Sequence, residues 1–282
     1  MRKRITEKNV FPQFSLEREY KKLHDLTFDR SAFGKYVVYT QKARPSLSYD
    51  NCLQIMFLDW DLRGSFTSIE EMLFGLHISE DDFENNVTED RLLDFIQFTL
   101  NAICFVDEEV NKGNYNIYKA TDTIFNAIVS NSRLILDHLG AEMINGGKEI
   151  YIAYKDDIAT AVTEQNQELK TSITEYLKID NRGDLQRKGE VLCTLAKKLE
   201  PHEKSLINSE FKQLCSDTTF LLNNIGARHY RDPKNRIKAQ FTAMKNEELE
   251  QWYDRAFQMF LACMAALPYL DYEKDIKVLR SI

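Results

Sequence analysis

Residues 249–264, LEQWYDRAFQMFLACM, are the most regular apolar stretch of this chain. Their apolar side chains recur at steps of three and four residues: Leu249, Trp252, Tyr253, Ala256, Phe257, Phe260, Leu261 and Met264. Upstream, residues 208–225, NSEFKQLCSDTTFLLNNI, show the same spacing. Because 3.6 residues complete one helical turn, both stretches are predicted to be amphipathic α-helices. The fold is therefore expected to be built on two packed helices with a polar connection between them.

That connection is basic. Residues 227–238, ARHYRDPKNRIK, hold five lysines and arginines, one acid and one histidine in a chain whose net charge is -7. One interpretation is contact with phosphate or RNA, in which guanidinium groups position phosphates and Tyr230 stacks on a base. His229 would then move a proton, since imidazole titrates near neutral pH. The alternative is a solvated connection between helices that only keeps the protein soluble.

The composition favours an all-α protein. Only 10 glycines and 5 prolines interrupt 282 residues, as is typical of long helices with few turns. An acidic balance argues against a surface that coats DNA or membrane everywhere, so any nucleic-acid contact must be local.

The five cysteines are far apart in apolar contexts and are interpreted as reduced, largely buried thiols, so no zinc and no cofactor is predicted. With no signal peptide or membrane span in the sequence, a cytoplasmic location without a membrane partner is expected.

The chain is expected to divide near an acidic segment at residues 79–86. Residues 1–87 are predicted to form a smaller, less regular helical region, with a helix over residues 17–26 and a strand over residues 36–40. Residues 88–282 are predicted to form a multi-helix antiparallel bundle with short connections. Thr88 is expected to cap the first helix of that bundle.

Further helix boundaries in the bundle follow from turn residues. A helix is predicted from Ile117 to Leu139, closed near Gly140, and Asn145-Gly146-Gly147 is the strongest turn signal. The apolar spacing after that turn predicts one helix of roughly thirty residues over residues 151–177. Asp184 is expected to cap the next helix, which Pro201 is expected to end.

The sequence at residues 221–229, LLNNIGARH, followed by a polar insert and a final amphipathic helix, resembles the C-terminal half of HEPN-type domains. These include abortive-infection proteins of bacterial anti-phage defence. The resemblance implies a helical bundle, a homodimer or a partner protein of the same system, and a metal-independent ribonuclease. The usual signature is an arginine, four to six residues and a histidine. With four intervening residues, the arginine of this signature would lie at position 224, and this chain has Asn224 there. Its arginine, Arg228, is directly adjacent to His229 instead.

The same resemblance implies roles for individual residues. A ribose 2'-hydroxyl would attack the neighbouring phosphate with His229 as general base or acid, Arg228 or Arg231 stabilising the phosphoryl charge and Asn224 orienting. RNA would be held by further side chains of the connection: Tyr230, Arg231, Lys234, Arg236 and Lys238. Dimerisation through the last helix would bring together the basic connections, residues 227–238, of two copies of the chain. The N-terminal region would then be a sensor or partner-binding region.

Other candidate sites are weaker. Arg133 and His138 match the signature spacing literally, but positions five apart on a helix point about 140° from each other. His24-Asp25 lacks the further ligands of a metal-dependent phosphohydrolase, and the acids of residues 59–61 and 80–82 are interpreted as helix-end charges.

Two other functions remain open. One is a non-catalytic adaptor or regulatory subunit that binds another protein, and the other is a nucleic-acid binder without catalysis.

Overall fold

The computed structural model describes residues 14–28, 36–38, 46–47, 49–113, 115, 117–118, 123–225, 241 and 243–280. Most of these residues are helical, which confirms the all-α prediction, and short strands account for the remaining regular structure. The chain forms two compact units, residues Met1–Ile152 and Ala153–Ile282. Among the described residues, no helix has a segment long and apolar enough to cross a lipid bilayer.

The first unit combines helices with a small sheet. Its helices are, in chain order, α1 (Leu16–Phe28), α2 (Tyr49–Met56), α3 (Ile69–Gly75), α4 (Glu80–Asn85), α5 (Glu89–Lys112) and α6 (Thr123–His138). Its strands are β1 (Tyr36–Val38), β2 (Ser46–Leu47), β3 (Ile117–Tyr118) and β4 (Ala141–Asn145). The helix predicted over residues 17–26 is α1, and β1 confirms the beginning of the predicted strand.

Strand β1 is the centre of a three-stranded antiparallel sheet. Tyr36 pairs with Leu47 of β2, and Val38 pairs with Ile117 of β3. The prediction of a helix starting at Ile117 was therefore wrong, because this residue belongs to the third strand. Helix α6 begins only at Thr123, and it ends at His138, close to the predicted end.

Helix α5 is the core element of the first unit. Thr88 caps it as predicted, with its side chain accepting a hydrogen bond from the Arg91 amide. Phe95 on α5 is buried between Tyr20 of α1 and Phe83 of α4, at ring-centroid distances of 4.9 and 5.6 Å. Because α5 packs on helices that precede it, the chain does not divide at residues 87 and 88 as expected. The division lies instead between Ile152 and Ala153.

The second unit is a bundle of helices. In chain order these are α7 (Asp157–Gln165), α8 (Gln167–Leu177), α9 (Leu185–Ile207), α10 (Lys212–Asn224) and α11 (Asn246–Arg280). The two helices predicted from residues 208–225 and 249–264 are α10 and part of α11. Phe257 and Phe260 of α11 are fully buried in the bundle core, together with leucines of α9.

The single helix predicted over residues 151–177 was wrong. Its first residues form strand β5 (Ile150–Tyr154), which pairs with β4 across the predicted turn at Asn145–Gly147. Asp156 and Asn166 then cap two separate helices, α7 and α8. Strand β5 is stabilised by amide side chains of α5: Ile150 N–H donates to Asn101 Oδ1 at 2.8 Å, and Ile152 N–H donates to Gln97 Oε1 at 2.8 Å.

Pro201 does not end α9, which continues to Ile207. A proline inside a helix lacks one amide donor, yet packing of the apolar face can hold the helix together across it. Leu199 and Leu206, on either side of the proline, are both fully buried. Helix α9 is capped at Asp184, as expected, by a 2.8 Å hydrogen bond from the Arg187 amide.

Candidate functional site

The predicted RNA site lies mostly outside the described residues. This applies to Arg228, His229, Tyr230, Arg231, Lys234, Arg236 and Lys238. Asn224 is described: it is the last residue of α10, and its Nδ2 donates to the Phe220 carbonyl at 2.7 Å. That bond uses one of the two hydrogens on Nδ2, and it involves neither the second hydrogen nor the Oδ1 atom.

The described residues on either side of the basic segment are anchored in the second unit. Ile225 precedes the segment and is buried, and Phe241 follows it and is buried in the same core. Phe241 packs edge-on against Trp252 of α11, with ring centroids 6.1 Å apart. The guanidinium of Arg255 lies 4.6 Å from the centroid of the Trp252 ring. The bundle core therefore fixes both ends from which residues 226–240 depart.

A cluster of charged side chains holds the first turns of α11. Lys188 of α9 is only 7% exposed, and its Nζ lies 2.8 Å from Glu250 Oε1 and 2.8 Å from Asp254 Oδ1. The Tyr176 hydroxyl of α8 donates to the same Asp254 oxygen at 2.8 Å. The Gly183 amide donates to Glu250 at 2.8 Å. Three helices thus meet at one lysine.

The electrostatics of this cluster favour its ionised form. Burial acts to raise the pKa of Glu250, but the hydrogen bonds from Lys188 and the Gly183 amide outweigh it, so the pKa lies below its ordinary value. Burial and the neighbouring Asp254 carboxylate raise the pKa of Tyr176 far above its ordinary value, so its hydroxyl stays a donor. Because each carboxylate already binds the lysine, we interpret the cluster as a structural link between helices.

The sequence contains one signal for this cluster. Lys188 falls in the apolar stripe of α9, which continues through Leu192, Leu195 and Leu199. A lysine at such a position must find an anion, since a buried unpaired charge is strongly unfavourable. Local spacing does not reveal which acids pair with it, because Glu250 and Asp254 lie on a distant helix.

Three candidate residues of the first unit, Arg133, His138 and His24, lie on two of its helices, α6 and α1. Arg133 and His138 are both exposed on α6, as predicted for ordinary surface residues. The His138 ring stacks on Phe14, with centroids 3.7 Å apart. His24 Nε2 lies 3.1 Å from Glu80 Oε1, which explains this histidine as a link between α1 and α4.

The acidic pairs lie at helix ends, as expected. Asp82 accepts hydrogen bonds from the Ser79 amide and hydroxyl, at 3.0 and 2.6 Å, and so caps α4. Asp59 accepts a hydrogen bond from the Tyr115 hydroxyl. Within the described ranges, no group of three or more histidine, cysteine or acidic side chains is arranged to hold a metal ion. The five cysteines are free thiols, and Cys52, Cys215 and Cys263 are buried.

Each unit also contains an open cavity. The one in the first unit has a volume of about 360 Å³ and lies between α1 and α6, lined by Leu26, Ile124 and Ala127 with Lys22, Asp25, Thr123 and Asn131. The one in the second unit has a volume of about 280 Å³ and lies between α8 and α9. Its arginine, Arg187, already binds Glu175 through Nε at 2.9 Å and Nη2 at 2.7 Å.

No family model, no curated protein and no solved structure matches this chain.

Proposed function

We propose that the basic segment of residues 227–238 binds RNA and that His229 cleaves it, in a cytoplasmic effector of bacterial anti-phage defence. The observation that carries the proposal is the concentration of five cationic side chains between two residues of the bundle core, Ile225 and Phe241, in a chain of net charge -7. A segment departing from two fixed points loses less conformational freedom on binding than a free tail does. The resemblance of residues 221–229 to HEPN domains supports the choice of RNA.

The proposed reaction uses no group outside the chain and the substrate. The 2'-hydroxyl oxygen attacks the adjacent phosphorus while a base removes its proton. The bond from phosphorus to the 5'-oxygen then breaks, and that oxygen takes up a proton. The products are a 2',3'-cyclic phosphate and a 5'-hydroxyl. His229 serves as base or acid, Arg228 and Arg231 stabilise the phosphoryl oxygens, and Asn224 orients the reacting groups.

Purified protein incubated with single-stranded RNA in the presence of EDTA tests this proposal. Wild type is expected to release fragments ending in cyclic phosphate, and His229→Ala is expected to lose this activity while unfolding at the same temperature. The matched control is His138→Ala, which removes an exposed histidine from the first unit and should cleave like wild type. Equal cleavage by His229→Ala and wild type would contradict the catalytic role.

Binding without cleavage would identify a nucleic-acid binder. In that case affinity would fall steeply with salt, because phosphate contacts release counterions. The same segment would carry the function, and His229→Ala would have no effect beyond a small loss of affinity.

A non-catalytic adaptor is the second candidate, and exposed apolar side chains in the first unit favour it. Ile55, Leu58 and Phe74 are each more than half exposed to solvent. Large exposed apolar side chains mark protein-binding surfaces when they form a continuous patch. An adaptor would tolerate His229→Ala in cells and lose its function on Leu58→Ser with Phe74→Ser, whereas the ribonuclease would show the reverse pattern.

A further inference from the structure

The open cavity of the first unit lies between one face of α1 and one face of α6. Three residues of α1 and four of α6 line it: Lys22, Asp25, Leu26, Thr123, Ile124, Ala127 and Asn131. Residues three and four positions apart lie on the same side of a helix, so each helix contributes one continuous wall. The volume of about 360 Å³ falls within the range of small-molecule sites in proteins.

The apolar part of the lining is accessible to a ligand. Leu26, Ile124 and Ala127 are half-buried, whereas Leu23 and Ile128, which lie close to them on the same helices, are fully buried. The cavity therefore lies just outside the core of the unit and keeps apolar side chains in contact with solvent. Covering such a surface with an apolar group is favourable, because the surface is removed from water.

The positive charge of the lining is already paired. Lys22 Nζ lies 3.0 Å from Glu19 Oε1 and 2.9 Å from Glu19 Oε2. Glu19 is only 7% exposed, and it also accepts hydrogen bonds from Arg18 Nε and Nη2 at 3.0 and 2.9 Å. An anionic ligand would therefore have to compete with Glu19 for Lys22.

The negative charge of the lining, on Asp25, has no such partner. In the part of the chain that the structure describes, its carboxylate accepts no hydrogen bond and forms no ion pair, although the residue is half-buried. Asn131 of α6 adds a second acceptor. Its Nδ2 donates to the Ala127 carbonyl at 2.8 Å, a bond in which Oδ1 takes no part. Because carboxylate and amide oxygens accept hydrogen bonds, the lining favours a donor that carries a positive charge.

We propose that this cavity binds a small organic amine in its protonated form. The ammonium group donates to the Asp25 carboxylate and to Asn131 Oδ1, and the apolar body of the amine covers Leu26, Ile124 and Ala127. A half-buried carboxylate attracts a cation more strongly than an exposed one does, because less water screens the pair. Amine binding is independent of RNA binding, since the cavity belongs to the first unit and residues 227–238 belong to the second.

An NMR titration of the full chain with three aromatic ligands of similar size tests the preference for positive charge. The ligands are 2-phenylethylammonium, which is protonated at pH 7, the neutral 2-phenylethanol and the anionic phenylacetate. We expect a dissociation constant of about 0.1–10 mM for the ammonium, as is typical of a ligand this small. The alcohol should bind about fivefold more weakly, or less. Failure of the ammonium to bind, or tighter binding of phenylacetate, would overturn the proposal.

Substitutions locate the site of binding. Asp25→Asn keeps the size of the side chain and removes its charge, so it should bind the ammonium and the alcohol equally, within about twofold. The matched control is Asp61→Asn, which makes the same change at an exposed position of the first unit outside the cavity and should keep the wild-type preference. Ala127→Phe fills the cavity and should weaken both ligands by about fivefold or more, because its ring takes the place of their apolar body.

Two results with the variants would contradict the site. One is a preference for the ammonium that survives Asp25→Asn, and the other is undiminished binding by folded Ala127→Phe. Thermal unfolding shows which variants are folded, and Asp25→Asn with its control decides the question by itself if Ala127→Phe does not fold.

Discussion

At the scale of single residues, Lys188 determines how the last helix begins. Its ammonium group binds Glu250 and Asp254 in the first turns of α11, and the Tyr176 hydroxyl completes the arrangement. A charge this deeply buried is stable only with its partners in place. The link therefore connects three helices at the first turns of α11.

Removal of the lysine should destabilise the protein. Lys188→Met leaves two carboxylates without their cation, but both retain access to water, so we expect a loss of about 1–3 kcal/mol in the free energy of unfolding. Urea unfolding followed by circular dichroism at pH 7 measures it. Lys197→Met, at an exposed position of the same helix, is the control and should stay within about 0.5 kcal/mol of wild type.

The same cluster predicts a pH dependence. The pKa of Glu250 is lowered in the folded protein from its ordinary value of 4.5, so the folded state binds this proton more weakly than the unfolded state does. Its contribution is fully present above pH 4.5 and is lost as the pH falls through the lowered pKa. Glu250→Gln should therefore be less stable than wild type at pH 7, and the difference should shrink as the solution is acidified. A difference that stays constant down to pH 3 would contradict the assignment.

At the scale of helices and strands, Asp156 performs two tasks. Its Oδ1 accepts the Ala159 amide at 2.8 Å and caps α7, and its Oδ2 accepts Gln258 Nε2 of α11 at 2.6 Å. Asp156→Ala removes both contacts and should lower the free energy of unfolding by about 1–2 kcal/mol. Gln258→Ala removes only the second contact and should lower it by less. Thermal unfolding compares the two variants. Equal losses of stability in the two variants would show that the cap of α7 contributes nothing.

The sequence predicted those elements whose signal lies in neighbouring residues, and it failed where distant residues decide the structure. Thr88 and Asp184 cap their helices as expected, because a cap needs only its own next three residues. Strand β5 was misread, since Tyr151, Tyr154 and Ile158 fit helical spacing, and what holds the strand is Asn101, far away in sequence. Pro201 was misread as a helix end because buried leucines on both sides outweigh its missing donor. In the same way, the acids that bind Lys188 could not be found from spacing alone.

At the scale of the whole molecule, two cores predict two folding units. The second unit has its own continuous core from α7 to α11. A fragment of residues 153–282 should therefore be helical and unfold cooperatively, and Lys188→Met should destabilise it as it does the full chain. Asn101→Leu breaks bonds to β5 at Ile150, so it should destabilise the first unit in the full chain. Loss of helical structure in the isolated fragment would contradict this division.

RNA binding as proposed requires a local cationic segment on an acidic protein. The described helices of the second unit do not supply it, because their lysines and arginines are interspersed with acids, as the ion pairs of Lys188 and Arg187 illustrate. The basic segment of residues 227–238 has five cations and a single acid. RNA affinity should therefore reside in that segment alone.

The most direct test is the salt dependence of binding to a single-stranded RNA, measured by fluorescence anisotropy. Five phosphate contacts predict a slope of log K against log salt of about -3.5, and Arg228→Ala, Arg231→Ala and Lys234→Ala combined should reduce it to about -1.4. The control combines Lys170→Ala, Lys197→Ala and Lys204→Ala, which remove the same charge from exposed helix positions of the same unit. It should keep the wild-type slope. Equal slopes for the two triple variants, or no binding by wild type at low salt, would contradict the proposal.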